Sequence, residues 1–342
     1  MRQIRVLVVE DSMFFRNLLV KTLEKDPALE VVASAGNAFE ARDAIIKYRP
    51  DVMTLDIEMP RMNGIEFLRK LMPQYPLPVV MVSSLSDKVF DALNAGAVDF
   101  VAKPAYNDRE KLEEFISKEL PVKIKIASTA KIGSLKKNAL PQLTENVAVD
   151  NKELVLAIGA STGGTEAIAT ILKDFGTDIP GTVIVQHMPA GFTELYANRL
   201  NDQCRVTVKE AKNGDKVLPG QVLLAPGGDC QMRLVRCASG YQVEVKPGPK
   251  VSGHCPSVDV LFESVAKAAK GRAIGIILTG MGGDGAKGLL EMRNAGARTI
   301  GQDESTCVVY GMPKVAYELG AVEFQEKLSD ISKKTYAVLN RM

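Results

Sequence analysis

Histidine is scarce in this chain: His187 and His254 are the only two in 342 residues. Any imidazole chemistry must rest on these positions. Cysteine is nearly as sparse. The five thiols, Cys204, Cys230, Cys237, Cys255 and Cys307, form an odd set. No two of them stand at zinc-ligand spacing, so a structural zinc centre is not expected and free thiols in a reducing cytoplasm are. The charge excess is small, +2 at pH 7, which gives no pull toward nucleic acid or a membrane surface. No apolar run reaches the length of a membrane span, and the first residues lack the pattern of a secretory signal. A cytoplasmic protein with no direct membrane insertion and no nucleic-acid partner is expected. Hydrophobic residues make up 46% and charged residues 25% of the chain, the balance of a globular protein long enough for two domains.

What is present is a regular alternation of short apolar runs and amphipathic stretches. Strands are predicted at Ile4 to Val9, Val31 to Ala35, Val52 to Leu55, Val79 to Val82 and Asp99 to Val101, with helices between them. That rhythm implies a five-stranded parallel, doubly wound sheet. From about Val122 to Asn151 the composition turns to Lys, Ser, Thr, Asn and Gln, with Pro121 and Pro141 as breakers, and reads as a linker. The expected organisation is a domain over 1–122, a linker over 123–151 and a second domain over 152–342.

The second domain is predicted to be α/β, with a mostly parallel sheet and an antiparallel hairpin insertion over Val206 to Val245. Helices fit Gly164 to Lys173, Phe192 to Leu200, Val258 to Ala269, Ala286 to Asn294 and Lys314 to Glu318. Its first apolar run, Leu154 to Ile158, leads into Gly159-Ala160-Ser161-Thr162-Gly163-Gly164. The spacing Gly159-x-Ser161-x-Gly163 fits a nucleophile elbow, a sharp turn that lifts a serine hydroxyl off the end of a strand. Glycine-rich turns also cradle phosphates, so the motif alone is open. A phosphate-binding P-loop requires lysine after its last glycine, where Thr165 stands. A dinucleotide-binding turn requires glycine where Ser161 stands.

His187 closes the apolar run Val183-Ile184-Val185-Gln186. If that strand is parallel to the one before Ser161, the imidazole lies at the same sheet edge and serves as general base. Asp284 follows the strand Ile276-Ile277-Leu278 within the turn Met281-Gly282-Gly283-Asp284-Gly285. It is placed to hold the imidazole tautomer, and the turn's N–H groups to face an oxyanion. Asp284 also suits a helix N-cap, and the two roles are compatible. The order Ser, His, Asp matches none of the chymotrypsin, subtilisin or α/β-hydrolase orders, which indicates a separately evolved hydrolase. For His254 a structural role stays open.

In the first domain, Glu10 and Asp11 end the first strand and Asp56 the third. Parallel strands deliver all three carboxylates to one edge, where they repel one another and suit a hard cation such as Mg²⁺. Ser83 and Lys103 end the fourth and fifth strands and bring a hydroxyl and an ammonium suited to a phosphoryl group.

The segments Val9-Glu10-Asp11-Ser12, Leu55-Asp56-Ile57-Glu58-Met59-Pro60, Met62-Asn63-Gly64, Val82-Ser83-Ser84 and Phe100-Val101-Ala102-Lys103-Pro104 resemble a response-regulator receiver domain. The resemblance implies that Asp56 accepts phosphate from a chemotaxis histidine kinase, with Mg²⁺ held by Glu10, Asp11 and Asp56. It also implies that Ser83 and Lys103 sense the phosphoryl group and that Phe100 is the switching aromatic. The second half resembles the CheB-type methylesterases of chemotaxis. The matching segments are Ile158 to Gly164, Val185-Gln186-His187-Met188-Pro189, Leu224 to Gly228, Pro256-Ser257-Val258-Asp259, Leu278 to Gly285 and Gly311-Met312-Pro313-Lys314.

That resemblance implies a nucleophile at Ser161, a base at His187 and its orienting carboxylate at Asp284. Thr162 and the Met281 backbone are placed near the oxyanion, and His254 near the cleft. No cofactor is implied for the esterase. The implied substrates are glutamate γ-methyl esters on the cytoplasmic helices of chemoreceptors, hydrolysed to release methanol under control of the phosphorylated receiver. The same acyl chemistry extends to deamidation of receptor glutamines. Two departures mark the rim of the cleft. Cys255 follows His254 where a basic residue is expected, and Asp229-Cys230-Gln231-Met232 lacks a histidine. A rival class is a receiver-linked binding protein on a dead hydrolase fold, which labelling by an active-serine probe would exclude.

Overall fold

The structure is a computed structural model that describes residues 2–84, 87–103, 112, 115–132 and 153–342. The chain divides into two compact units, residues 1–133 and 134–342.

The first unit is built on five parallel strands: β1 (Ile4–Val9), β2 (Leu29–Ala35), β3 (Val52–Asp56), β4 (Val79–Ser83) and β5 (Asp99–Ala102). Their order in the sheet is β2-β1-β3-β4-β5. Every residue of β3 and β4 is buried, which explains why these strands are near-continuous apolar runs. The helices α1 (Met13–Leu23), α2 (Ala38–Tyr48) and α3 (Gly64–Leu71) start at polar caps. Ser12, Asn37 and Asn63 each accept a hydrogen bond from a first-turn N–H. Next comes α4 (Lys88–Asn94). A π-helical turn, Phe115–Glu119, then runs into α5 (Leu120–Ser128).

The helix α5 crosses the position expected to begin the linker. Leu120, Ile124 and Ala127 are fully buried. Lys123 pairs with Asp99 at 2.7 Å and Lys125 with Asp26 at 2.6 Å. The polar composition that reads as linker is thus, over its first residues, the outer face of a packed helix. Most of the expected linker lies outside the described residues.

The second unit carries a seven-stranded sheet in the order β15-β14-β13-β6-β7-β10-β8. These strands are β6 (Val155–Ala160), β7 (Gly181–Gln186), β8 (Thr207–Glu210), β10 (Gln221–Leu224), β13 (Ala273–Ile277), β14 (Arg298–Gln302) and β15 (Phe324–Glu326). All pairings within it are parallel. A separate antiparallel sheet holds β9 (Lys216–Val217), β11 (Cys230–Cys237) and β12 (Gly240–Pro247). The hairpin insertion is therefore narrower than expected, because β8 and β10 join the parallel sheet. The helices are α6 (Gly164–Asp174), α7 (Phe192–Gln203), α8 (Val258–Ala269), α9 (Ala286–Asn294), α10 (Met312–Glu318) and α11 (Leu328–Leu339).

Both β15 and α11 lie beyond the last helix expected from the sequence. α11 buries Ser332 and Thr335 beside Leu328, Ile331 and Leu339, and polar residues on the inward face blunt its apolar period.

From β6 the chain steps one way to β7 and later, from β13 onward, the other way. The strand order reverses beside β6, and the crevice at the carboxyl ends of β6 and β13 is where an open α/β sheet receives ligands. The first unit has the same feature between β1 and β3. Glu10, Asp11 and Asp56 lie at one crevice, and Ser161 and the loop after β13 at the other.

Candidate active site and acidic pocket

Ser161 follows β6 in the turn that enters α6. Gly163 in that turn has φ +77°, a backbone conformation that favours glycine. The Ser161 N–H donates to Thr279 O at 3.0 Å, and its carbonyl accepts from Gly164 N at 2.7 Å. The serine is 8% exposed, at the mouth of the crevice. β6 and β7 run in parallel register to Ala160 opposite Gln186, so His187 leaves the next strand end beside it. The His187 N–H donates to Ala160 O at 3.1 Å.

The imidazole lies with Nε2 2.8 Å from Asp284 Oδ2. Asp284 also accepts from Ser257 Oγ at 2.7 Å, Val258 N at 2.8 Å and Asp259 N at 3.1 Å. Burial pushes the Asp284 carboxyl up, but His187, the Ser257 hydroxyl and the Val258 N–H outweigh it and hold the group below its ordinary value. An ionised carboxylate only accepts, so the proton between the two residues belongs to Nε2. Nδ1 then carries the lone pair, and this buried atom has no hydrogen-bond partner among the described residues.

Asp284 bonds the imidazole and a helix start at the same time. The helix it caps is α8, which precedes it, rather than α9, which follows. Asp259 of α8 returns the arrangement by accepting from Gly288 N, at 2.9 Å, in the first turn of α9.

His254 stacks on His187 with ring centroids 3.7 Å apart and planes 9° from parallel. The loop after β13 passes directly over the serine. A Cβ on Gly280 would lie 2.7 Å from Ser161 Cβ. The N–H of the next residue, Met281, has no backbone acceptor among the described residues, and Met281 is 46% exposed. Thr162 is buried, and its carbonyl accepts from Thr279 Oγ1 at 3.0 Å.

Several residues of the site have no role assigned to them from the sequence, although Ser257 and Gln186 stand inside segments that resemble the methylesterases. Ser257 is one, and a serine before a helical run is a recognisable N-cap signal. Buried glutamines are others. Gln186 donates to the carbonyls of Ser161 and His187. Gln231 accepts from Ser257 N at 2.8 Å and donates to Pro249 O at 2.9 Å. Gln231 stands within the segment noted for lacking a histidine, and its amide ties down the loop that carries His254. Cys255 lies in the same loop, half-buried, with Sγ 3.7 Å from Gly248 O.

In the first unit Glu10, Asp11 and Asp56 can bring oxygens within 4.8 Å of one another. Lys103 Nζ lies 2.6 Å from Asp56 Oδ2 and 2.8 Å from Glu10 Oε2. Burial and the adjacent Asp56 charge push the Glu10 carboxyl up to about 7, against the pull of Lys103. Burial likewise raises Asp56. Lys103 is held above its ordinary value because the two carboxylates outweigh its own burial.

Gly64 permits the start of α3 to close on this pocket, since a Cβ there would fall 2.0 Å from Asp56 O. Ser83 is buried, and its hydroxyl donates to Ser84 O at 3.1 Å rather than to Asp56. The Lys103 N–H donates to Ser83 O at 2.7 Å, which keeps the two strand ends in register. Phe100 is buried against Phe90, edge to face, at 6.4 Å. A cavity of about 350 Å³ opens beside Asp11, lined by Glu58, Met59, Asn63 and Lys88 among others.

An acidic pocket at one switch point and a serine, histidine and aspartate cluster at the other define a hydrolase carried with a response-regulator receiver. The chain belongs to the CheB methylesterase family: that family's model matches residues 156–335, and the response regulator receiver domain model matches 6–117. A Syntrophomonas wolfei protein-glutamate methylesterase/protein-glutamine glutaminase 2 is 63% identical over 342 residues, covering 100% of this chain and 99% of the relative. The Salmonella typhimurium protein-glutamate methylesterase/protein-glutamine glutaminase is 46% identical, with 99% and 98% covered. The crystal structure of the Thermotoga maritima CheB methylesterase catalytic domain matches with TM-score 0.53 and 35% identity, covering 54% of this chain and 98% of that one. No helix among the described residues is long and apolar enough to cross a membrane.

Proposed function

We propose that this chain hydrolyses γ-methyl esters of glutamate side chains on chemoreceptors and deamidates glutamines there, with Ser161 as nucleophile. The observation that carries this reading is the Asp284–His187 pair, which leaves the Nδ1 lone pair unpartnered at the strand end next to Ser161. Ser161 Oγ attacks the side-chain carbonyl carbon as Nδ1 takes the hydroxyl proton. The carbonyl oxygen becomes an oxyanion beneath the Met281 N–H, with Thr162 at its edge. His187 returns the proton to the leaving group as the C–O or C–N bond breaks. Methanol leaves from an ester and ammonia from an amide. Water then attacks the acyl-serine by the same route, which frees glutamate and restores Ser161. Asp284 stays ionised throughout, and the stacked His254 ring fixes the plane of His187.

Control belongs to the first unit. Asp56 accepts a phosphoryl group from a histidine kinase, and Lys103 and Ser83 receive its oxygens. Phe100 is the aromatic whose packing changes. The oxygen-only set of Glu10, Asp11 and Asp56 suits Mg²⁺, and their crowded charge supports a cation there. Such a cation supplies positive charge against the incoming phosphoryl oxygens. The domains follow as a receiver at the amino-terminal end, a linker and a methylesterase from about residue 152. Methanol release from methylated receptor membranes tests the reading. Ser161→Ala is expected to release none above background.

A further inference from the structure

Gln186 is the last residue of β7, between the apolar strand and His187, and is 3% exposed. One amide nitrogen serves both neighbouring strand ends: Nε2 donates to Ser161 O at 2.9 Å and to His187 O at 3.2 Å. The opposite assignment of the amide would turn an oxygen on two carbonyl oxygens, so chemistry fixes nitrogen at that place. Oε1 faces α6, where a Cβ on Gly164 would lie 2.2 Å away. The side chain therefore fills the angle between the elbow and β7, with no room to turn.

We infer that Gln186 is a positioning residue that holds Ser161 and His187 in mutual register through their carbonyl groups; this rests on the hydrolase reading above. β6 and β7 are tied by their ladder only as far as Ala160 and Gln186. Beyond it, apart from the His187 N–H bond to Ala160 O, the described residues offer this amide as the bridge between the two segments. A reacting pair displaced by about 1 Å loses on the order of 100-fold in rate. Gln186 is buried behind the site and does not reach the substrate, so its loss is expected in kcat rather than KM.

The test uses the full chain and two variants. Gln186→Met keeps the volume and removes both donated bonds. It is expected to lower kcat by about 10–100-fold with KM for receptor membranes nearly unchanged, and to slow fluorophosphonate labelling of Ser161 in proportion. Gln186→Glu places a carboxyl opposite the two carbonyls, where only its protonated form donates. Its rate relative to wild type is expected to rise as pH falls from about 8 to 6, a signature that packing alone does not produce.

A Gln186→Met protein with wild-type kcat and labelling rate would overturn the inference. So would a Gln186→Glu protein whose relative rate ignores pH, and this arm stands even if the methionine variant does not fold. Failure of the probe to label Ser161 in the wild type would instead overturn the hydrolase reading on which the inference depends.

Discussion

Asp284 receives four donors in a buried position, one from a ring, one from a hydroxyl and two from the start of a helix. That surplus keeps it charged where burial would neutralise it. Its folded-state value lies below the unfolded one. The stability it contributes is therefore present above the ordinary aspartate range and is lost as pH falls through the lowered value. An acid limb in the rate near neutrality accordingly belongs to another group. Ser161→Ala and His187→Gln are each expected to lower esterase rates by at least ~10⁴-fold, and Asp284→Asn by about 10³–10⁴-fold, with melting of the serine variant near wild type. Rates on receptor membranes check this, and a Ser161→Ala protein of near-normal rate would move the chemistry elsewhere.

Glu10 shows the opposite sign. Its carboxyl is raised from 4.5 to about 7, so native stability falls as pH rises between those values. A cation held by the three carboxylates would compete with that proton. Mg²⁺ is expected to raise the melting temperature of the full chain more at pH 7.5 than at pH 5, and Glu10→Gln to reduce that difference. Calorimetry with and without Mg²⁺ reads both.

At this scale the sequence is legible where chemistry and position coincide. Ser161, His187 and Asp284 each follow an apolar run and carry reactive groups. Gln186 and Gln231 escape because a buried amide has no periodic signature, and its value appears only once its backbone partners are in place.

Elements are most legible where burial is continuous. β3, β4 and β6 are buried at every residue and read as near-continuous apolar runs. The helix α5 was obscured because its lysines look like linker, although each of two finds a carboxylate on the first unit. β8 and β10 were obscured for another reason. They are short, with a hairpin strand between them, and length cannot distinguish parallel from antiparallel pairing. If α5 belongs to the first unit as packed, Ile124→Ala should lower stability by about 2–5 kcal/mol. Val122→Ala, at a position 53% exposed, should change it by less than about 0.5 kcal/mol. Denaturant unfolding of the two full-length variants separates these outcomes, and equal effects would mean that α5 is not docked.

For the whole molecule, a receiver domain and a methylesterase on one chain lead to the expectation that a charge placed at the first crevice sets the rate at the second. Phosphorylation of Asp56 would exchange its single carboxylate charge for a phosphoryl group carrying roughly −1.5 to −2 beside Lys103 and Ser83, and would break the carboxylate pairing that Lys103 now makes with Asp56 next to Glu10. A fragment beginning at Lys152 is expected to hydrolyse receptor esters faster than the unphosphorylated full chain and to ignore a phosphodonor. A fragment no faster than the whole chain would mean that the receiver assists the hydrolase instead of restraining it.

The most direct measurement is methanol release from methylated receptor membranes by the full chain, with Mg²⁺, with and without a small-molecule phosphodonor. The rate is expected to rise with the phosphodonor in the wild type, to stay at the basal level in Asp56→Asn and to vanish in Ser161→Ala under both conditions. Methanol release that persists in Ser161→Ala, or a phosphodonor response that persists in Asp56→Asn, would contradict it.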